Sequence, residues 1–435
     1  MTKIEIKKAW IIAVDMGYGH LRTAYSLKEM AYQEIINANN YPGIPREDRK
    51  IWRSTRKFYE KISRFKQIPI VGDWAFDLFD KFQAIPNFYP RRDLSKPNLQ
   101  VTEATNLIKK KDWGKHLISK LSKKPLPLVT TFFAISIMAE IFDYPGEIYC
   151  VICDTDVSRS WVSKEPAISR INYFAPSKRV AERLRLYGVP QERIFFTGYP
   201  LPVENLGEAA KLEILKKDMA DRMINLDPEH GYARYYKEVL IKHLNWNQLQ
   251  KKKRPLTLTF AVGGAGAQRE IGRNIIKSLK SRIEQHQIRI NLVAGIHNDV
   301  ARYFRKSIRE LGLLKQLETD WLNIVFAENK KLYFYRFNKT MQTTDILWTK
   351  PSELSFFCAL GIPIIISEPI GSQEKFNKEW LIEIGAGYEQ KKVEYTDEWL
   401  FDWLRSGRLA EAAMDGFLEA PKHGTYKIED IVLKK

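Results

Sequence analysis

Between Thr344 and Gly387 the chain runs TDILWTKPSELSFFCALGIPIIISEPIGSQEKFNKEWLIEIGAG. Two short apolar runs, 345–348 and 362–366, have the length and composition of buried strands. Between them Ser352 can cap a helix, Glu353 suits its first turn, and Gly361 marks its end. The polar stretch 368–377 then opens another helix that stops at Gly385-Ala386-Gly387. Strand, helix, strand, helix, with polar residues gathered where strand gives way to helix, specifies a parallel α/β sheet. Ligands bind at that edge of such a sheet. Helix N-termini there offer N–H groups to an anion such as a phosphate.

The same arrangement recurs along the chain. Residues 10–14 read as a strand that runs into Asp15-Met16-Gly17-Tyr18-Gly19-His20 and a helix carrying Leu21, Ala24, Leu27 and Met30. Gly17 and Gly19 allow the backbone to approach a ligand closely. His20 stands at the helix start, where the helix dipole favours the neutral, base-competent imidazole. Residues 127–135 read as a strand followed by a helix to about 142, and 147–153 as a strand ending in Asp154-Thr155-Asp156. Carboxylates just past a strand lie at the ligand-binding edge. A further strand at 171–175, a helix capped at Pro176-Ser177, and a strand at 193–196 closed by Thr197-Gly198-Tyr199-Pro200 complete this half. Residues 256–262 then run into Gly263-Gly264-Ala265-Gly266-Ala267-Gln268 and a helix, again an anion-binding arrangement. Strands follow at 288–294, ending at Gly295-Ile296-His297, and at 323–327.

With 435 residues, two or three domains are expected. The predicted division is an α/β domain at 1–205 with an insertion at 46–124, a helical linker at 206–255, a second α/β domain at 256–395 and a helical tail at 396–435. A hydrophobic content of 44% with 28% charged residues suits a soluble globular chain. No apolar run is long enough for a transmembrane helix, and the start lacks the features of a signal peptide. The three cysteines, Cys150, Cys153 and Cys358, fit a reducing cytoplasm. Cys150 and Cys153 form a CxxC without a second pair at zinc spacing, so buried thiols are expected rather than a metal site.

The net charge of +18 points to an anionic partner or substrate. Residues 46–124 hold 20 Lys and Arg against 9 Asp and Glu, so +11 of the +18 lies there. Arg49, Lys50, Arg53, Arg56, Lys57, Lys61, Arg64 and Lys66 alternate with Trp52, Phe58, Ile62 and Phe65. Trp74, Leu78, Phe79 and Phe82 follow at helical spacing. Such a stretch suits an interfacial helix on anionic lipid. The alternative is that the stripe packs on the core and the charges form a solvated face. No nucleic-acid-binding motif is present, and no nucleic-acid partner is expected.

Taken together, Asp15-Met16-Gly17-Tyr18-Gly19-His20-Leu21-Arg22-Thr23-Ala24 resembles the DxGxGHxxxA opening of glycosyltransferase family 28. Thr155-Asp156 with Trp161 is similar to its TD…W segment. Pro176-Ser177, Gly188-Val189-Pro190 and Thr197-Gly198-Tyr199-Pro200 resemble its closing unit, and 263–267 its GGxxGA loop. Asp345, Lys350-Pro351, Gly361-Ile362-Pro363, Gln373-Glu374 and Asn377 are similar to its last signature. Five motifs in the right order cover 10–30, 145–205 and 256–390.

The resemblance implies an α/β GT-B fold, two Rossmann-like domains facing each other across a cleft. It implies a glycosyltransferase that moves a sugar from a nucleotide-sugar co-substrate, usually a UDP-sugar, to a lipid or lipid-linked acceptor. It also implies no metal, no resident cofactor, inversion at the sugar, and a cytoplasmic enzyme peripheral on the inner membrane face through 46–124. By resemblance the diphosphate meets Gly263, Gly264, Ala265, Gly266 and Ala267. Gly17, Gly19, Lys350, Ser352 and Glu353 also line the nucleotide-sugar site, Gly295 and Ile296 edge the uracil, and Gln373, Glu374 and Asn377 meet the donor sugar or phosphate. His20 sits at the acceptor hydroxyl as base or phosphate contact, with Asp156 or Asp154 as rival bases.

The sequence departs from the family in two places: the 46–124 region, which matches nothing specific in it, and the stretch Lys350 to Pro363, which is shorter than usual and has Ser352-Glu353 where the family has GG. The ribose-binding Glu expected seven residues before the Pro of GxP is Phe356, which leaves Glu353 as the nearest replacement. Two other readings stay open: another GT-B enzyme, such as a nucleotide-sugar epimerase or a transferase with a soluble acceptor, and a non-catalytic nucleotide-sugar- or membrane-binding module.

Overall fold

The computed structural model describes residues 8–65, 85–244, 254–263, 266, 268–369 and 371–434. The 74–82 aromatic stripe, Lys66, the side chains of Phe58, Lys61, Ile62, Arg64 and Phe65, and Gly264, Ala265, Ala267 and Lys251-Lys252-Lys253 lie outside what it describes. Contacts divide the chain into two compact units. The first holds the described residues of Met1–Leu201, Ile370–Asn377 and His423–Lys435, and the second those of Pro202–Pro369 and Lys378–Lys422.

The first unit contains a six-stranded sheet. Its strands are β1 (Trp10–Ala13), β2 (Ile36–Asn37), β3 (Leu128–Thr130), β4 (Ile148–Val151), β5 (Ile171–Ala175) and β6 (Ile194–Phe196), in the order β2-β1-β3-β4-β5-β6. All its pairings are parallel. Alternate residues join opposite cores, as a period of two requires. Ile12, Leu128, Ile148, Cys150, Ile171 and Tyr173 join one core cluster. Ile11, Ala13, Val129, Tyr149, Val151 and Phe174 join another, together with Ala24, Leu27, Ile428, Val432 and Leu433. The second face is therefore covered by the Tyr18–Ser26 helix and by the last helix, Gly424–Leu433. A Cβ at Gly424 would overlap the Tyr199 carbonyl, so only glycine lets that helix start where it does.

The second unit repeats the plan with β7 (Thr257–Ala261), β8 (Arg289–Gly295), β9 (Leu322–Phe326), β10 (Ile346–Thr349), β11 (Ile364–Ile366) and β12 (Gly387–Glu389). Their order is β12-β11-β10-β7-β8-β9, again all parallel. Every residue of β7, β10 and β11 is buried, as expected of strands covered on both faces. The architecture is thus α/β of the GT-B type, with two Rossmann-like units.

Several local expectations change. The apolar run read as one strand over 127–135 divides: β3 ends at Thr130 and Phe133–Ile141 is helical. The helix is buried along Phe133–Ala139, and a helix apolar all round carries no period to separate it from a strand. The segment after β10 is a 3-10 helix, Glu353–Leu360, capped by Ser352 and ended by Gly361 at φ 70°. Residues 206–255 supply the helices Glu213–Leu226 and Ala233–Leu244 to the second unit. The stretch after Tyr395 divides too: Thr396–Arg405 and Arg408–Glu419 stay in the second unit, and Gly424–Leu433 lies in the first.

The last helix makes a direct prediction. Ile428 is fully buried, so Ile428→Ala should lower the unfolding free energy by about 2–5 kcal/mol in urea titrations, through lost transfer energy and a residual cavity. An unchanged midpoint would show that this helix does not hold the sheet face.

Candidate functional site

Each sheet reverses its direction of growth once. In the first unit the chain steps from β1 outward to β2, then crosses to β3 on the other side of β1. A crevice at the C-terminal ends of such strands is where an open α/β sheet takes a ligand. At the end of β1, Gly17 has φ 129°, a conformation that side chains resist. Gly19 lies inside the Tyr18–Ser26 helix, and its carbonyl accepts the Thr23 hydroxyl at 2.8 Å. His20 is half-buried in the first turn of that helix. Its carbonyl accepts the Thr131 hydroxyl at 2.9 Å, which ties the β1 turn to the end of β3. Its ring meets Phe132 edge-on at 5.0 Å and lies 5.8 Å from Trp161. His20 therefore sits at the switch point, against aromatic walls.

The turn is also held from outside. The Asp15 amide donates to Asn39 at 2.8 Å, and the Asp15 carboxylate pairs with Arg56 at 3.3 Å. Arg56 belongs to the helix Arg46–Phe65, where Arg46, Lys50, Arg53 and Lys57 are also exposed. Trp52 on the same helix is 3% exposed and packs against Trp113 at 4.6 Å and Phe132 at 6.2 Å. At that position the aromatic stripe is core, and the outward face is basic.

The carboxylates after β4 separate by environment. Asp156 accepts Arg183 Nε at 2.9 Å and its Nη2 at 2.7 Å, one bond on each oxygen, and also the Val157 amide at 2.8 Å. The two side chains are 2% and 0% exposed. A bidentate pair sealed from water anchors structure; it is not open to an acceptor hydroxyl. Asp156, expected as a rival base, is engaged in this pair. Asp154 is half-buried, and its Oδ1 accepts Asn377 Nδ2 at 3.0 Å. Thr155 donates both its amide and its hydroxyl to Asn377 Oδ1, at 2.9 Å each. Its carbonyl accepts Ser177 Oγ at 2.7 Å, and Ser177 caps the helix Lys178–Leu186. Tyr199 of the TGYP motif is buried and shares a hydrogen bond of 2.9 Å with Thr23. Four of the sequence motifs thus converge in the first unit.

Asn377, expected on the donor sugar, is fully buried and bound to Thr155 and Asp154. Gln373 and Glu374, half-buried at the start of the helix Ser372–Glu383, lie with it in the first unit.

In the second unit the switch point lies between β7 and β10. Gly263 follows β7 and Lys350 follows β10. A Cβ on Gly263 would stand 2.7 Å from Lys350 Cε and 3.5 Å from its Nζ, so the lysine stem crosses directly over the glycine. Gly266, at φ 73°, donates its amide to the Gly263 carbonyl at 2.8 Å and lies beside Val300 and His297. Gln268 Nε2 donates to the Glu368 carbonyl at 3.1 Å, which links the glycine loop to the end of β11. Gly295 ends β8 at φ 66° beside a register shift, and its carbonyl accepts the Ala327 amide; Ile296 follows it. Ser352 Oγ accepts the Leu354 amide at 3.4 Å. Glu353 is 8% exposed, while Phe356, at the family's ribose position, is 2% exposed and packs on Trp380 at 5.2 Å.

Asp345 of the last signature lies away from this edge, at the start of β10. It is fully buried and bound by Arg254 at 2.7 Å, Asn225 at 2.9 Å and the Thr257 amide at 2.8 Å, and burial pushes its carboxyl up. Nearby Arg222 holds the Thr344 and Leu360 carbonyls at 2.7 Å each, and burial brings its guanidinium down to about 10. These groups hold the fold. Burial also raises the Cys150 thiol to about 12 and the Cys358 thiol further, which leaves both unreactive.

A family described as a domain of unknown function (DUF6938) matches residues 245–430. A processive diacylglycerol β-glucosyltransferase from Bacillus cereus is 24% identical over 309 residues, 69% of this chain and 66% of the relative, so the match spans just under two thirds of that protein. Among solved structures, Acinetobacter baumannii MurG aligns over 99% of this chain and 100% of its own, with 11% identity and a TM-score of 0.45. The UDP-bound MnaA of S. aureus aligns over 98% and 96%, with 13% identity and a TM-score of 0.44.

The buried pair can be tested. Arg183→Ala should cost about 3–5 kcal/mol of stability, because it leaves the Asp156 carboxylate buried and unpaired. Arg183→Ala unfolding at the wild-type midpoint would release Asp156 from this role and return it to the candidate bases.

Proposed function

We propose that this chain, a glycosyltransferase-family-28-like protein of GT-B architecture, transfers a hexosyl group from a UDP-sugar to the hydroxyl of a membrane lipid. The observation that carries the reading is the second unit's switch point, where a lysine lies over a glycine turn at the ends of β7 and β10. A cation above a backbone free of side chains suits a diphosphate. Lys350 and the backbone of Gly263 and Gly266 take the diphosphate, Ser352 follows at the start of the 3-10 helix, Gly295 and Ile296 edge the base, and Glu353 takes the ribose in place of Phe356. Gln373 and Glu374 meet the sugar.

In the transfer, the acceptor oxygen forms a bond to the anomeric carbon. The bond from that carbon to the diphosphate breaks, and its electron pair leaves on UDP. The acceptor proton passes to a carboxylate or imidazole at the first unit's switch point. Asp154 is the base in this reading, because Asp156 is committed to Arg183. His20, against Phe132 and Trp161, orients the hydroxyl or the phosphate. The similarity to diacylglycerol glucosyltransferases supports a lipid acceptor. The exposed Arg46, Lys50, Arg53, Arg56 and Lys57 support an anionic membrane surface reached by charge. Among the described residues no helix is long and apolar enough to cross a membrane.

Calorimetric titration with UDP, GDP, TDP and ADP should show UDP-selective binding, weakened by about 1.5–3 kcal/mol in Lys350→Ala, the scale of a charged hydrogen bond. Failure of every nucleotide to bind would remove the donor site. Binding to phosphatidylglycerol vesicles should fall steeply as salt rises; binding indifferent to salt would rule out the basic face as the contact.

A further inference from the structure

We infer that Asn377 is a positioning residue that fixes the Asp154 carboxylate, rather than a ligand of the donor sugar; this rests on the reading of Asp154 as the base. The geometry determines which way the amide points. The Thr155 backbone N–H can only donate, so the atom facing it at 2.9 Å must be the amide oxygen. The Thr155 hydroxyl donates to the same oxygen at 2.9 Å, which fills both of its lone pairs. The amide nitrogen is then turned to Asp154 Oδ1 at 3.0 Å and can only donate to it.

The clamp is itself held in place. Asn377 is fully buried and Thr155 is 2% exposed. The Thr155 carbonyl is taken by Ser177, whose hydroxyl also caps the next helix through Val180 at 3.1 Å. A buried amide donating to Oδ1 fixes where the Asp154 carboxylate stands. Asp154 lies just past β4, at the edge where the sheet takes its ligand. The same saturation leaves the Asn377 oxygen nothing to offer a sugar hydroxyl, and full burial encloses its second N–H, so donor recognition falls to Gln373 and Glu374.

A hydrogen bond donated to the ionised carboxylate also favours ionisation. Other charged and titratable groups on the elements that meet here include Cys153, the Asp156–Arg183 pair, Lys178, Arg179 and Glu182 on the helix that Ser177 caps, and Glu374, Lys375, Lys378 and Glu379 on the Asn377 helix. Asn377→Ala leaves all of them in place.

The test compares wild type, Asn377→Ala and Asn377→Asp for transfer from UDP-glucose to diacylglycerol in phosphatidylglycerol vesicles across pH. Asn377→Ala should lower kcat by about 10- to 100-fold, leave the KM for UDP-glucose unchanged, and move the acid limb of the kcat/KM profile up by about one pH unit. Asn377→Asp, which sets a second carboxylate against Asp154, should move it further. A raised KM with unchanged kcat would place Asn377 on the donor, and a lowered kcat with an unmoved acid limb would make it merely structural; either overturns the inference. Difference infrared titration of the Asp154 carboxylate, referenced to Asp154→Asn, reads the same effect without turnover. Its midpoint should rise in Asn377→Ala. An unmoved midpoint overturns the inference, whereas a risen midpoint without wild-type turnover keeps the clamp and removes only the transferase reading.

Discussion

Parallel strands buried on both faces leave polar side chains few places to go. In this chain that constraint decides where the chemistry can sit. β4, β7, β10 and β11 are buried along their whole length, and the polar residues of the candidate site lie past their C-terminal ends, while the Asp345–Arg254–Asn225 group at the start of β10 is sealed in the fold. The two switch points, β1 beside β3 and β7 beside β10, then select among those ends. His20 and Phe132 meet at the first, and Gly263 and Lys350 at the second. Neither meeting depends on a long-range polar contact; both follow from strand order.

Within the first unit, polar residues from distant parts of the chain are divided by burial into different tasks. Asp154 and Asp156 are two residues apart and have opposite surroundings. One faces a fully buried guanidinium on both oxygens; the other is half-buried and held on one side by an amide. The first arrangement is costly to break and closed to a substrate. The second ties a half-buried carboxylate to a buried amide. The Arg46–Phe65 helix shows a similar division: Trp52 turns inward to Trp113 and Phe132, and the neighbouring basic side chains turn outward.

Much of this was legible in the sequence. The glycine turns at Gly17 and Gly263, the cap at Ser352, the stop at Gly361 and most strands follow from local rules. The pairings were not. Arg183 lies 27 residues from Asp156 and Asn377 lies 223 residues from Asp154. Nothing in a single chain says which buried charge meets which. The resemblance carries roles by position, and only the environment shows that Asp156 is paired with Arg183 and that Asn377 is bound to Thr155 and Asp154. Periodicity marked Trp52 as part of a stripe, but it cannot say whether a stripe faces a core or a membrane. The run at 127–135 failed for a related reason: an apolar segment without alternation reads equally as strand or buried helix.

Sugar transfer from a nucleotide donor to a lipid is what both switch points would serve. The most direct measurement is to incubate the full chain with radiolabelled UDP-glucose, UDP-galactose or UDP-N-acetylglucosamine and diacylglycerol-containing phosphatidylglycerol vesicles, and to count label in the organic phase. The account predicts that one of these donors labels the lipid, and that Asp154→Asn abolishes the labelling while leaving UDP binding intact. Lipid left unlabelled by all three donors, with UDP bound, would contradict it, as would labelling that survives in Asp154→Asn.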